Sequence, residues 1–249
     1  MIKNIFLIFF VTIISLTHIS WNSLATESND PIAEIFDTFS VDLYKKLNDK
    51  DLNFNAFNTG LKGFLKLRAE NKLGNSKYLT IIDMSVSSNQ DRFFLIDLNA
   101  EKIVHKSIVA HGRNSGSEFA KIFSNKIGSF QSSIGFYKTA ETYQGKHGLS
   151  LRLDGLEHSN SNARKRAIVI HAADYVSNIF IHKNGRLGRS LGCPSLPEKD
   201  YSKIIEKIKD GSVLFIYYPQ EKYLETSVLA NSDINKYFKK EIDVSSSAR

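Results

Sequence analysis

The chain carries a single cysteine. Cys193 sits in the stretch GRLGRSLGCPSLP (185–197), between Gly192 and Pro194. A thiol becomes a nucleophile when it is ionised and has a base or a cation within hydrogen-bond reach. His171, which ends the apolar run AIVIH, is the preferred base, because a strand end presents a side chain at the lip of a sheet and an apolar flank fixes it. His182, in FIHKNGR, is the alternative. Taken alone, each residue has a plainer reading, His171 as a satisfied core histidine and Cys193 as a small buried hydrophobe. The surroundings of Cys193 favour chemistry. Gly192 lets the backbone approach a substrate closely. Successive amides of a tight turn can face a developing oxyanion, and since Pro194 donates none, the donors must come from Leu191, Gly192 or Cys193. Arg186 and Arg189 add positive charge, which is expected to lower the thiol pKa.

An unpaired cysteine has a further meaning if the chain is exported. Lys3 precedes the apolar run IFLIFFVTIISL, and SLA at 23–25 places small residues where a signal peptidase reads, the layout of a secretory leader ending at Ala25. The apolar run is short for a membrane span. No cysteine lies near Ala25, so a lipoprotein anchor is not expected. In an oxidising compartment cysteines mostly pair, and one that cannot pair within its chain is free, intermolecular or reactive. The 249 residues carry a formal charge of +7, of which Lys3 would leave with the leader. Such a surplus suits an anionic partner, but no nucleic-acid-binding motif is present and none is expected to bind.

The remaining chain must position Cys193 and His171. Residues 32–71 show apolar residues at helical spacing and predict a helical preface spanning 26–77. After Lys77 the texture changes to short β-branched and aromatic runs. YLTIIDMSV, RFFLIDLN and KIVHKSIVAHG predict an antiparallel meander. Residues 113–133 read as loop. Two strands are expected around a turn at Gly145–Gly148, a buried strand ending at His171, a helix over 199–211 and a last strand over 212–219. The tail, 220–249, is expected to hold one weak helix and then be mobile. RKR at 164–166 reads as a solvated strand entry. The catalytic block is thus 78–219.

Five stretches within that block, in order, carry a resemblance: VAHGRNSG (109–116), FSNKIGSFQSSIGFY (123–137), ETYQGKHGLSLRLDGLE (141–157), NARKRAIVIH (162–171) and GRLGRSLGCPSLP. Together they resemble the YkuD-type murein L,D-transpeptidase catalytic domain family, exported cysteine enzymes that remodel peptidoglycan. The resemblance implies a mostly β (α+β), sandwich-like catalytic domain with a short helix. It implies Cys193 as nucleophile, His171 as its activating base, Ser190 and Gly192 as the residues leading into the nucleophile, and the Gly192 and Cys193 amides as an oxyanion hole. Substrate contacts are expected from Arg189, Arg186, Arg152 and His111, with peptidoglycan stem peptides as partner, no cofactor and no metal. Two positions depart from the wider family. Leu191 stands where a histidine is usual between the serine and the glycine, and Ser195 stands where an arginine is usual two residues after the cysteine. A third member of the catalytic set, holding the imidazole, is not identified, although a backbone carbonyl would serve.

Other readings give different expectations. His111, His147, His171 and Cys193 have ligand chemistry for zinc but show no tight ligand spacing. A non-catalytic wall-binding module would keep the fold without turnover. A hydrolase releasing wall-attached peptides would use the same Cys–His pair.

Overall fold

The computed structural model describes residues 31–232 and 234. The expected leader and the end of the tail lie outside the described residues. Two helices open the described chain, α1 (Pro31–Leu47) and α2 (Phe54–Ala69). Asn53 starts α2 by accepting a hydrogen bond from the Ala56 amide at 3.1 Å, which satisfies one of the donors a helix start leaves unpaired. The helices do not form a separate unit. Phe36, Phe57, Leu61 and Phe64 lie in the same hydrophobic cluster as the strands. Gly63 makes the close approach possible, since a Cβ there would collide with the Phe136 ring.

Eight strands follow: β1 (Tyr78–Asp83), β2 (Phe93–Asp97), β3 (Lys102–Ser107), β4 (Gly135–Gly145), β5 (Gly148–Gly155), β6 (Val169–Ala172), β7 (Ser195–Leu196) and β8 (Val213–Tyr217). Their lateral order is β3-β2-β1-β8-β4-β5-β6-β7. β1, β2 and β3 form the expected antiparallel meander, and β4 and β5 a hairpin closing at Gly145 and Gly148. β8 inserts between β1, to which it is parallel, and β4, to which it is antiparallel. Strands β1, β2 and β8 are buried along their whole length, which explains their unbroken apolar runs. The class is therefore mostly β with a few helices.

Three short helices complete the fold: α3 (Asn178–Asn184), α4 (Tyr201–Ile208) and α5 (Glu221–Thr226). α4 turns Ile204, Ile205 and Ile208 inward, as its spacing predicts. α3 is not among the elements predicted from the sequence. None of its residues is fully buried and only Ile181 packs inward, yet Ser177 caps its start and left-handed Gly185 ends it. Among the described residues no helix is long and apolar enough to cross a membrane.

Candidate active site

The site forms at the β6–β7 edge of the sheet. These two short strands run parallel, and His171 lies directly across from Ser195. Cys193 comes two residues before Ser195, in the turn that leads into β7. VAHG braces this turn from the other side. Ser190 donates its amide to His111 O at 2.9 Å, Arg113 donates to Ser190 O at 2.8 Å, and Ala110 donates to Ser195 O at 2.9 Å.

Ser190 shapes the turn from within. Its Oγ donates to Cys193 O at 2.6 Å and accepts from the Gly192 amide at 3.0 Å. One of the two amides read as an oxyanion hole is therefore already bonded inside the turn, which corrects that expectation for Gly192. Gly192 itself has φ of +126°, a region that disfavours side chains. A Cβ there would lie 2.9 Å from Gln131 O and 3.2 Å from Arg166 Nη2.

The cation beside the thiol is Arg166, not Arg186 or Arg189. Arg166 is half-buried. It donates to Ser124 O at 2.8 Å and Ser133 Oγ at 3.1 Å, and also to Gln131 O, so it clamps the 124–133 loop against the nucleophile turn. Burial raises the Cys193 thiol pKa above its ordinary value; the Val169 amide and the Arg166 charge pull it back only in part. Sγ contacts Ala167 O at 3.6 Å. Burial thus pushes the Cys193 thiol up, and the positive charge that pulls it back comes from Arg166 rather than from Arg186 or Arg189.

His171 faces a different set of partners. His171 is buried. Its Nδ1 lies 2.8 Å from Ala172 O and its Nε2 lies 2.9 Å from Ser195 Oγ. A backbone carbonyl thus does hold the ring. Tyr175 OH lies 3.2 Å from the same Ser195 Oγ. His147, at the β4–β5 tip, stacks on the ring with centroids 4.5 Å apart. Burial lowers the His171 pKa, the Ala172 carbonyl opposes this, and His147 adds to it. A cavity of about 520 Å³ opens here, lined by His147, Asp174, Tyr175, Glu198 and Tyr201 among others.

The expected substrate contacts do not gather around Cys193. Arg189 donates to Arg113 O and Gly116 O at 3.1 and 2.9 Å, tying down the 113–116 loop. Arg186 donates to Leu187 O at 2.8 Å. Arg152 pairs with Glu141 at 3.1 Å and stacks on Tyr143. His111 is 0% exposed and so faces no solvent-borne substrate, which corrects the expectation for it. Its Nδ1 accepts from Arg92 Nη2 at 2.8 Å, and burial with the Arg92 charge lowers its pKa to about 3. His182 lies exposed on α3, whereas His171 stands at the site. Among the described residues no three His, Cys, Asp or Glu side chains are grouped to hold a metal ion.

Sequence reasoning missed Arg166, Ser195 and Tyr175. Arg166 was hidden in a charge triad, and only the fold separates it from exposed Arg164, which pairs with Asp154 and Glu141. Ser195 stood out only as a departure from the wider family.

The sequence profile of the L,D-transpeptidase catalytic domain matches residues 48–217. The match covers more than half of the chain, and the chain belongs to that family. It begins inside the helical preface, consistent with α2 sharing the core. Among solved structures, an L,D-transpeptidase from Mycobacterium smegmatis is similar at 10% identity and a TM-score of 0.36, over 57% of this chain and 59% of that one. An L,D-transpeptidase from Stackebrandtia nassauensis is similar at 12% identity and a TM-score of 0.35, over 74% of this chain and 92% of that one. No curated protein matches the chain.

Proposed function

We propose that the chain is an exported cysteine acyltransferase of peptidoglycan stem peptides, working in the periplasm or cell envelope. The observation that carries the reading is the pairing of β6 with β7, which sets His171 beside the turn bearing the only thiol, within the matched family domain. In the proposed cycle His171 Nε2 gives up its bond from the Ser195 hydroxyl and takes the Cys193 proton. The thiolate attacks the carbonyl of the L-centre of meso-diaminopimelate in a tetrapeptide stem. The bond to D-alanine breaks, and D-alanine leaves with a proton from His171. An amine of a neighbouring stem then attacks the thioester, which restores the thiol and forms a 3–3 cross-link. If water attacks instead, the result is L,D-carboxypeptidation. The Cys193 amide remains to bond the oxyanion. Arg166 is the fixed positive charge that favours the thiolate as it forms.

The resting arrangement also supports a second reading. Burial pushes the thiol pKa up, and the hydrogen bonds of His171 go to Ala172 and Ser195. A wall-binding module without turnover would look the same. Incubation of the purified protein with a disaccharide-tetrapeptide, followed by mass spectrometry, separates the two. The acyltransferase gives a tripeptide or a cross-linked dimer, and Cys193→Ala gives neither. Unchanged tetrapeptide from folded protein favours the binding module.

A further inference from the structure

The basic nitrogen of His171 is held by Ser195. Nδ1 faces the Ala172 carbonyl, which only accepts, so Nδ1 carries the proton and Nε2 the lone pair. Ser195 Oγ, 2.9 Å from Nε2, is therefore the donor in that bond. With its proton committed, Ser195 Oγ is left to accept from Tyr175 OH, 3.2 Å away. The bonds run in one direction, from Tyr175 through Ser195 and His171 to Ala172 O. Ser195 is 0% exposed, so it is closed to a substrate carbonyl and is not itself a nucleophile. The β6–β7 register keeps it opposite His171.

We infer that Ser195, backed by Tyr175, is a positioning residue of the general base, fixing the His171 ring beside the nucleophile turn with Nε2 unprotonated. The inference rests on the reading of His171 as the base for Cys193. A hydroxyl donating to Nε2 favours the neutral ring, the form that accepts the thiol proton. Protonating Nε2 requires the Ser195 hydroxyl to turn and accept, which breaks the chain from Tyr175. The other groups around His171 act in both directions. His147 stacks on the ring and opposes a positive charge there, while Lys146, Asp174, Glu198 and Tyr201 line the adjoining cavity.

The test uses the purified protein and no wall substrate. Histidine ¹⁵N NMR reads the tautomer and titration of His171, and iodoacetamide reads Cys193, the only thiol. Ser195→Ala is expected to raise the His171 midpoint by about one pH unit and slow alkylation near neutral pH about 10-fold. Tyr175→Phe should move both in the same direction by less, about 3-fold in rate. Ser195→Thr, which keeps a hydroxyl, should restore both to within about 2-fold. If Ser195→Ala proves unfolded, Tyr175→Phe carries the test. Slower alkylation with an unmoved midpoint and tautomer would overturn the inference, as would variants that leave both readouts unchanged. Failure of stem-peptide turnover alone would count against the proposed function and leave this result standing.

Discussion

Two histidines follow apolar β-branched runs in this chain, His111 in SIVAHG and His171 in AIVIHA. In sequence they look interchangeable, and both are buried in the structure. What differs is the partner of each ring. His111 meets a cation. Arg92, itself fully buried, donates to its Nδ1 and also to Val109 O and Val86 O. A cationic donor on one nitrogen, in a place water does not reach, keeps His111 neutral at any physiological pH. His171 meets a carbonyl and a hydroxyl, and a hydroxyl can turn to accept once the ring is protonated. Burial alone therefore does not separate the two histidines; the reversibility of their hydrogen bonds does, and it is what fits His171 for the proposed role of base. The two are also connected, because the backbone of His111 holds Ser190 and through it the nucleophile turn.

The largest expected effect is at the site. Cys193→Ala should abolish stem-peptide turnover, and His171→Gln should lower it by about 10²–10⁴-fold, with little change in thermal stability for either. His111→Gln, whose side-chain oxygen can accept from Arg92, should leave most of the turnover intact. Equal losses in the two histidine variants would erase the distinction between them.

Next in size is the stability role of the buried pair. Arg92→Met removes the cation from the His111 contact and takes away the positive charge that favours the buried Asp83 carboxylate. Breaking such a cluster should cost about 3 kcal/mol, read as a lower denaturation midpoint in urea. A variant as stable as the parent would show that Arg92 is dispensable to the core.

A third effect is spread along the pH scale and has a definite sign. The folded pKa of His111 is about 3, against an unfolded value near 6.5. Between these values the unfolded chain binds the extra proton, so stability rises with pH across the window. It is fully present above about pH 6.5 and is lost as pH falls toward 3, by at most about 1.4 kcal/mol per pH unit from this group. In His111→Gln that slope should shrink, as measured by urea midpoints at several pH values. His171, also lowered, contributes in the same direction.

Much of the scaffold was legible because it depends on local pattern. The meander, the β4–β5 hairpin and the inward face of α4 follow from apolar period and turn residues close in sequence. Cys193 and His171 stood out as candidates because a lone cysteine next to glycine and a histidine ending an apolar strand are local signals; that their segments lie side by side follows only from the β6–β7 pairing. What the sequence hid is long-range. The Arg92–His111 bond joins residues 19 apart, and Arg166 reaches the 124–133 loop across more than 30. The value of Ser195 depends on the β6–β7 register, which no local pattern specifies. α3 escaped because only Ile181 packs inward and none of its residues is fully buried, leaving its two caps as the main signal.

The most direct test of the account is the intact mass of the protein, and the site of any added mass, after brief incubation with a disaccharide-tetrapeptide. The account predicts release of D-alanine, an adduct of the disaccharide-tripeptide acyl group on the Cys193 peptide, and no adduct in Cys193→Ala. D-alanine released at the same rate by Cys193→Ala, or an adduct carried by another residue, would contradict it.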